Sequence, residues 1–357
     1  MAFQLASIPA PASRNGDTPN SNTQRKQTRA AGALDELMEE EKGSDENEEV
    51  DEQDRWTDLQ VAAKDGDLSR VELLLSQGAD VNASPRGYYG NTALQAASLF
   101  GHEAIIRRLI AAGADINAEG GNNGGLNAVQ QASLAGNLSL VKLLVESGAD
   151  INAPARRYCG RTALQVAAEE GRTDIVRFLL EKGVDVNAKA AATAGVSALA
   201  AAASGHVEDN EAHGVIVDLL LEKGANVNAP PPRHKGFTAL QAAAINGNLE
   251  ILNKLIDAGA NVNQSGSSFK GGTALHAAAE NGDVEVVKRL IEAGADIEAP
   301  SGWGRQTPLQ SAAVRGNDEV VDLLLEHLRK KGGSTNLSGG TILFERGRLV
   351  PAEKPHS

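Results

Sequence analysis

The apolar triad Val71/Leu74/Leu75 returns at a 35-residue step as Ile106/Leu109/Ile110, Val141/Leu144/Val145 and Val176/Leu179/Leu180. Val217/Leu220/Leu221, Leu252/Leu255/Ile256, Val287/Leu290/Ile291 and Val321/Leu324/Leu325 continue the series. Residues spaced i, i+3, i+4 share one face of a helix. A unit this short cannot bury that face alone, so units must stack and cover one another. The repetition therefore restricts the chain to a helical solenoid.

A second signature stands ahead of the triads: TALQAAS from Thr92, TALQVAA from Thr162, TALQAAA from Thr238, TALHAAA from Thr273 and TPLQSAA from Thr307. Threonine suits a helix N-cap, where its hydroxyl takes up a backbone N–H that the helix leaves unpaired. Pro308 follows at the first helical position, where a missing N–H costs nothing. The alanines predict a thin helix that a neighbour can approach closely. Gly101, Gly136, Gly171, Gly247, Gly282 and Gly316 predict its left-handed end. The second helix stops at another glycine, such as Gly113, and an A-D/N-V/I-N-A loop follows, as in Ala114-Asp115-Ile116-Asn117-Ala118. Each unit reads as helix, turn, helix and an extended polar loop.

Together these signatures resemble the ankyrin repeat, in eight consecutive copies over residues 55–331. The glutamine-rich variant, with Asn228-Ala229-Pro230-Pro231-Pro232, resembles long ankyrin arrays of filamentous fungi. The resemblance implies an all-α fold, an ankyrin-repeat solenoid of helix-turn-helix units with projecting β-hairpin fingers. It also implies a protein-binding scaffold or adaptor and not an enzyme. A HEAT or tetratricopeptide solenoid would lack the G-A-D-V-N segment. The step exceeds the usual period of about 33, and the extra length falls in the fingers. In the fifth unit an insertion near 205–211 and a first helix one residue short, Leu199–Ala203, predict the weakest packing of the array. The first unit, with Asp58, and the last, ending Glu326–Lys331, read as polar caps.

Composition agrees with this reading. Residues are 41% hydrophobic but only 3% aromatic, which fits many small aliphatic cores better than one large interior. The lone cysteine, Cys159, excludes an intrachain disulfide and favours an intracellular, cytoplasmic or nuclear, setting. No run of eighteen apolar residues is present, so no membrane span is expected. The net charge of −13 is uneven, with 13 acids and 5 bases in residues 1–54. That segment is expected to be a disordered acidic tail, and 332–357 a flexible C-terminal one.

The seven fingers (83–91, 118–126, 153–161, 188–196, 229–237, 264–272 and 299–306) hold six of the eleven aromatics and a net charge of +8. Arginines and aromatics are the side chains enriched at binding hot spots. The candidates are Arg86, Tyr88, Tyr89, Arg156, Arg157, Tyr158, Arg233, Lys235, Phe269, Lys270, Trp303 and Arg305, with Arg161 and Lys189 adding positive charge. The ankyrin resemblance adds the two residues before each first-helix glycine, which complete the concave face. In the second and third units these include Leu99, Phe100 and Leu134, apolar where polar side chains are expected. A protein partner of acidic character suits such a surface. Nucleic-acid binding through the basic fingers is the alternative, and a pI of 5.1 weighs against it.

Other motifs carry less. Gly266–Thr273 has the frame of a phosphate-binding loop, but Gly272 stands where the lysine would be. His206 and His213 flank acids within the insertion, where a solvated loop is expected ahead of a metal site. Cys159, beside Arg156, Arg157 and Arg161, lacks companions at metal-ligand or nucleophilic spacing. No cofactor, metal, catalytic residue or small-molecule substrate is expected.

Overall fold

The computed structural model describes residues 56–84, 90–121, 125–155, 160–205, 210–234, 236–267, 271–301, 306–330, 342–345 and 348–351. Sixteen helices fall among them, in eight pairs. These are α1 (Asp58–Asp65) with α2 (Leu68–Ser76), α3 (Ala93–Phe100) with α4 (Glu103–Ala111), α5 (Ala128–Leu134) with α6 (Leu138–Glu146), and α7 (Ala163–Glu169) with α8 (Thr173–Glu181). The rest are α9 (Ala198–Ala203) with α10 (Asn210–Glu222), α11 (Ala239–Ile245) with α12 (Leu249–Asp257), α13 (Ala274–Asn281) with α14 (Val284–Glu292), and α15 (Pro308–Arg315) with α16 (Asp318–Lys330). The first helix of each pair stacks on the first helices of its neighbours, and the second helix packs behind it. A two-stranded antiparallel hairpin, β1 (Ile342–Glu345) and β2 (Arg348–Pro351), lies within the segment expected to be a flexible tail. The acidic tail at 1–54 lies outside the described residues.

The first helices start as their sequence predicts. Thr92 Oγ1 accepts from the backbone N–H of Gln95 (3.2 Å), while Gln95 Oε1 accepts from the Thr92 N–H (2.8 Å). This reciprocal capping recurs at Thr57, Asn127, Thr162, Thr238 and Thr307. The glutamine has a further duty, because Gln95 Nε2 donates to the Ala118 carbonyl at the base of the next finger (2.8 Å). Gln60, Gln130, Gln165 and Gln241 reach Ala83, Ala153, Ala188 and Gln264 in the same way. At the far end Gly101, with φ of 81°, closes α3 in the left-handed conformation that a Cβ would strain.

The core is a column of alanines and leucines. Ala93, Leu94, Ala96 and Ala97 of α3 are buried, as are Ile105, Ile106 and Leu109 of α4. Full burial of one such leucine or isoleucine contributes about 1.5–3 kcal/mol. A ladder of asparagines ties the loops behind the helices. Asn117 Nδ2 donates to the Gly148 carbonyl (3.1 Å), and its Oδ1 accepts from the Asp150 N–H (2.8 Å). Asn82, Asn187, Asn228 and Asn263 make both bonds to the loop that follows them.

The fifth pair absorbs its insertion without opening the stack. α9 has six residues, all buried, and packs against both α7 and α11. The inserted residues extend the following helix, so that α10 runs for 13 residues where most second helices have nine. Neighbouring fingers are bonded to each other at Gly121 N–H to Gly90 O (3.2 Å), Ala194 N–H to His234 O (3.0 Å) and Ser267 N–H to Gly236 O (3.3 Å). Thr193 and His234 form an isolated parallel bridge.

Candidate protein-binding face

The ends of α3 and α5 carry the apolar residues singled out by their distance from Gly101 and Gly136. Phe100 is 49% exposed, and Leu99 and Leu134 are half-buried without joining the core. Ala135 beside them is exposed. The Phe100 ring stacks on the His102 imidazole, with centroids 6.5 Å apart and planes 16° from parallel. His102 is itself fixed, because its Nε2 lies 2.9 Å from the Lys64 carbonyl and must donate to it. Phe100 thus lies against a neighbour that is itself held in place.

Most finger candidates lie outside the described residues: Arg86, Tyr88, Tyr89, Arg156, Arg157, Tyr158, Lys235, Phe269, Lys270, Trp303 and Arg305. Arg233 is described and exposed, in the finger before α11, several repeats from the apolar patch. The structure therefore brings Leu99, Phe100 and Leu134 together and leaves Arg233 apart. Phe237 packs against the core and is not a surface anchor. Cys159 and His206 also lie outside the described residues.

Arg161 proves to be a joint between elements. Its Nε donates to Glu169 Oε2 (2.8 Å) and a terminal nitrogen to Glu169 Oε1 (3.3 Å), a two-pronged pair that ties the finger base to the end of α7. The other terminal nitrogen donates to the Ala194 carbonyl of the next finger (3.2 Å). Its charge is met by Glu169, and the basic surface read from the sequence is smaller by that one cation. Ala194 holds φ of 51°, a left-handed value rare for alanine, within this cluster.

Two histidines have structural duties. His276 takes the glutamine position of α13: Nδ1 accepts from the Thr273 N–H (3.0 Å), leaving Nε2 to donate to the Gln306 carbonyl (3.0 Å). Burial pushes its pKa below the usual imidazole value, against the opposing pull of the Gln306 carbonyl and the Glu280 charge. His213 is buried in α10, with Nε2 3.1 Å from the Glu169 carbonyl. Its role was open to reading from the sequence, because Val217 lies four residues beyond it, as Ile106 lies beyond His102. Among the described residues no three His, Cys, Asp or Glu side chains gather as a metal site, and no helix is long and apolar enough to cross a membrane.

A stack of capped helix pairs joined by loops of the G-A-D-V-N type defines a helical repeat solenoid. The sequence profile described as "Ankyrin repeats (3 copies)" matches residues 28–120, 118–190, 188–266 and 264–338, and the chain belongs to the ankyrin-repeat family. The crystal structure of the human ASB11 ankyrin repeat domain is similar in fold, with a TM-score of 0.51 and 25% identity. That match covers 68% of this chain and 99% of the ASB11 chain. No curated protein matches the sequence. Ankyrin repeats generally mediate protein–protein interaction and are typically non-catalytic.

Proposed function

We propose that this chain is a non-catalytic scaffold of eight repeats that holds a protein partner against its concave face. The observation that carries this reading is the patch of Leu99, Phe100 and Leu134, apolar side chains on adjacent repeats that the core does not take up. A stacked array with no such need would place polar residues there, as it does with Glu280 and Asn281 in α13. The fingers supply the second part of the surface. Arg86, Tyr88, Tyr89, Arg156, Arg157 and Tyr158 flank the patch in sequence, and their charge favours an acidic partner. We place the protein inside the cell, where its lone cysteine stays reduced.

The test is affinity capture with the full chain beside the double variant Tyr89→Ala/Phe100→Ala. Buried anchors each contribute roughly 2 kcal/mol or more to binding, so the double variant should lose the partner while its circular dichroism stays helical. Undiminished capture would move the surface elsewhere on the array.

A further inference from the structure

The stack has one open end. The triad leucine that is fully buried in every later repeat, from Leu109 to Leu324, is only half-buried as Leu74 in the first. Leu324 stays buried although no helix pair follows it among the described residues, so this position is covered by the repeat before, which Leu74 lacks. Leu73 beside it is 56% exposed. Its counterparts also reach backward: Lys254 Nζ donates to Asp218 Oδ2 (2.6 Å) and Arg289 Nε to Asn253 Oδ1 (2.6 Å), each in the preceding repeat.

The loop after α2 is open in the same way. Asn82 donates to the carbonyl of Gly113, 31 residues on, and accepts from the N–H of Asp115, 33 residues on. Asn228 and Asn263 bond at the same two intervals. Counting back 31 residues from Gly78 and 33 from Asp80 reaches position 47 both times, and residue 47 is asparagine. Among the described residues the Gly78 carbonyl and the Asp80 N–H have no partner.

The sequence around Asn47 agrees. Gly43-Ser44-Asp45-Glu46-Asn47 matches Gly78-Ala79-Asp80-Val81-Asn82, with Glu46 at the one apolar loop position. Asn47 precedes Thr57 by ten residues, the spacing of Asn82 to Thr92 and of Asn228 to Thr238. Leu34, Leu37 and Met38 form an i, i+3, i+4 set ahead of Gly43, two residues further from it than Val71, Leu74 and Leu75 are from Gly78. The remaining residues from Asp35 to Lys42 are all charged, so a helix here has one apolar face and one acidic face, as the end of a solenoid requires. No T-A-L-Q signature stands before Leu34, so the segment supplies a second helix, a loop and a finger without a first helix. That accounts for the charges on the rest of the open face: Asp58 of α1 pairs with Arg70 (3.1 Å) where the next repeat buries Ala93 and Ile105. The family match, which reaches back to residue 28, takes in the same segment.

We propose that residues 34–56, part of the segment expected to be a disordered tail, are a half-repeat that closes the array. Asn47 donates to the Gly78 carbonyl and accepts from the Asp80 N–H, and a helix bearing Leu34, Leu37 and Met38 covers Leu73 and Leu74. The array then ends on the acidic side of that helix. This reading is independent of where a partner protein binds.

Hydrogen exchange on the full chain tests it. In the wild type the Asp80 amide should be protected, and Asn47→Ala should speed its exchange about tenfold, the scale of one lost hydrogen bond. The Asp150 amide, held by Asn117, should keep its wild-type rate in that variant. Leu37→Asp, which sets a charge on the apolar face, should speed exchange across α2, while Glu36→Gln on the acidic face should not. An Asp80 amide that exchanges as fast in the wild type as in Asn47→Ala would overturn the proposal. Wild-type protection of α2 in Leu37→Asp would overturn the helix and its cover of Leu73. The rival occupant is a second copy of the chain: a dimer in sedimentation that Leu73→Glu dissolves, with Asp80 unprotected, would assign the open end to that copy instead.

Discussion

His213 Nε2 donates to the Glu169 carbonyl at 3.1 Å, the same bond that His102 Nε2 makes to the Lys64 carbonyl at 2.9 Å. Both histidines stand four residues before the first member of an apolar triad, Val217 and Ile106. The inserted residues of the fifth repeat therefore leave the register of its second helix intact, and the added length emerges as an extra helical turn. A ring that reads as part of a polar loop is instead a bolt between repeats.

Replacing His213 by alanine should remove that bolt. It leaves the Glu169 carbonyl without its donor and a void over Gly205, against which the imidazole packs. The expected loss is about 1–3 kcal/mol, read as a lower urea midpoint with helicity retained. A chelator should not change the wild-type midpoint, since the His213 nitrogen facing Glu169 is already committed. A chelator-sensitive midpoint would reinstate a metal role.

The asparagine ladder should be worth more in the middle of the array than at its end. Asn117→Ala removes two bonds to the next loop, at net values of about 0.5–1.5 kcal/mol each. Glu298 occupies the corresponding place after α14, and its backbone N–H is held within its own loop by Asp296 (3.0 Å). The last pair continues as helix to Lys330, so no further loop of this type is placed to meet Glu298 among the described residues. Glu298→Ala should therefore shift the urea midpoint little, and Asn117→Ala clearly. Equal shifts would mean that the ladder bonds are satisfied equally well by water.

The fold was legible because its signals are periodic. Val71/Leu74/Leu75 and its successors mark the second helices, and Thr92 with Gln95 marks the first. Leu99, Phe100 and Leu134 could be found by counting back from a glycine. The duties of Arg161 and Gln131 were not legible. Arg161 meets Glu169 from a finger base and Ala194 from the next finger, and neither partner lies at a helical spacing. Gln130 reads as the TALQ glutamine from its spacing, but nothing in the sequence announces the bond from Gln131 to Asn91. His213 was legible in principle, from Val217 but not from Gly205.

His276 makes the seventh repeat sensitive to acid. Burial lowers its folded pKa below the usual 6.5, so the unfolded chain takes the proton first. The stability this side chain contributes is full above about pH 6.5 and declines as pH falls from there toward the lowered folded value. Glutamine can make both of its bonds, as Gln95 does to Thr92 and Ala118. His276→Gln should match wild type near pH 7.5 and show the smaller drop in Tm near pH 5. An equal drop in both proteins would place the acid sensitivity in other groups.

The Arg161–Glu169 pair separates structural from binding charge. The arginine side chain is 17% exposed and the glutamate 38%, and the two-pronged geometry makes this pair stronger than a typical surface bridge, whose median is about 0–1 kcal/mol. A double-mutant cycle with Arg161→Ala and Glu169→Ala should give a coupling of about 0.5–3 kcal/mol, the range for residues that share a network. The single Arg161 variant also loses the bond to Ala194, which holds a left-handed φ of 51°. It should therefore cost more than the Glu169 variant, and Ala194→Gly in the Arg161→Ala background should recover part of that difference. Partner capture supplies the second readout. If Arg161 serves only to join finger to helix, Glu169→Ala, which frees its charge, should not weaken an acidic partner. A gain in affinity on Glu169→Ala that disappears in about 0.5 M salt would show the released guanidinium reaching the partner. A coupling near zero, with both singles at wild-type stability, would return Arg161 to the set of available finger cations.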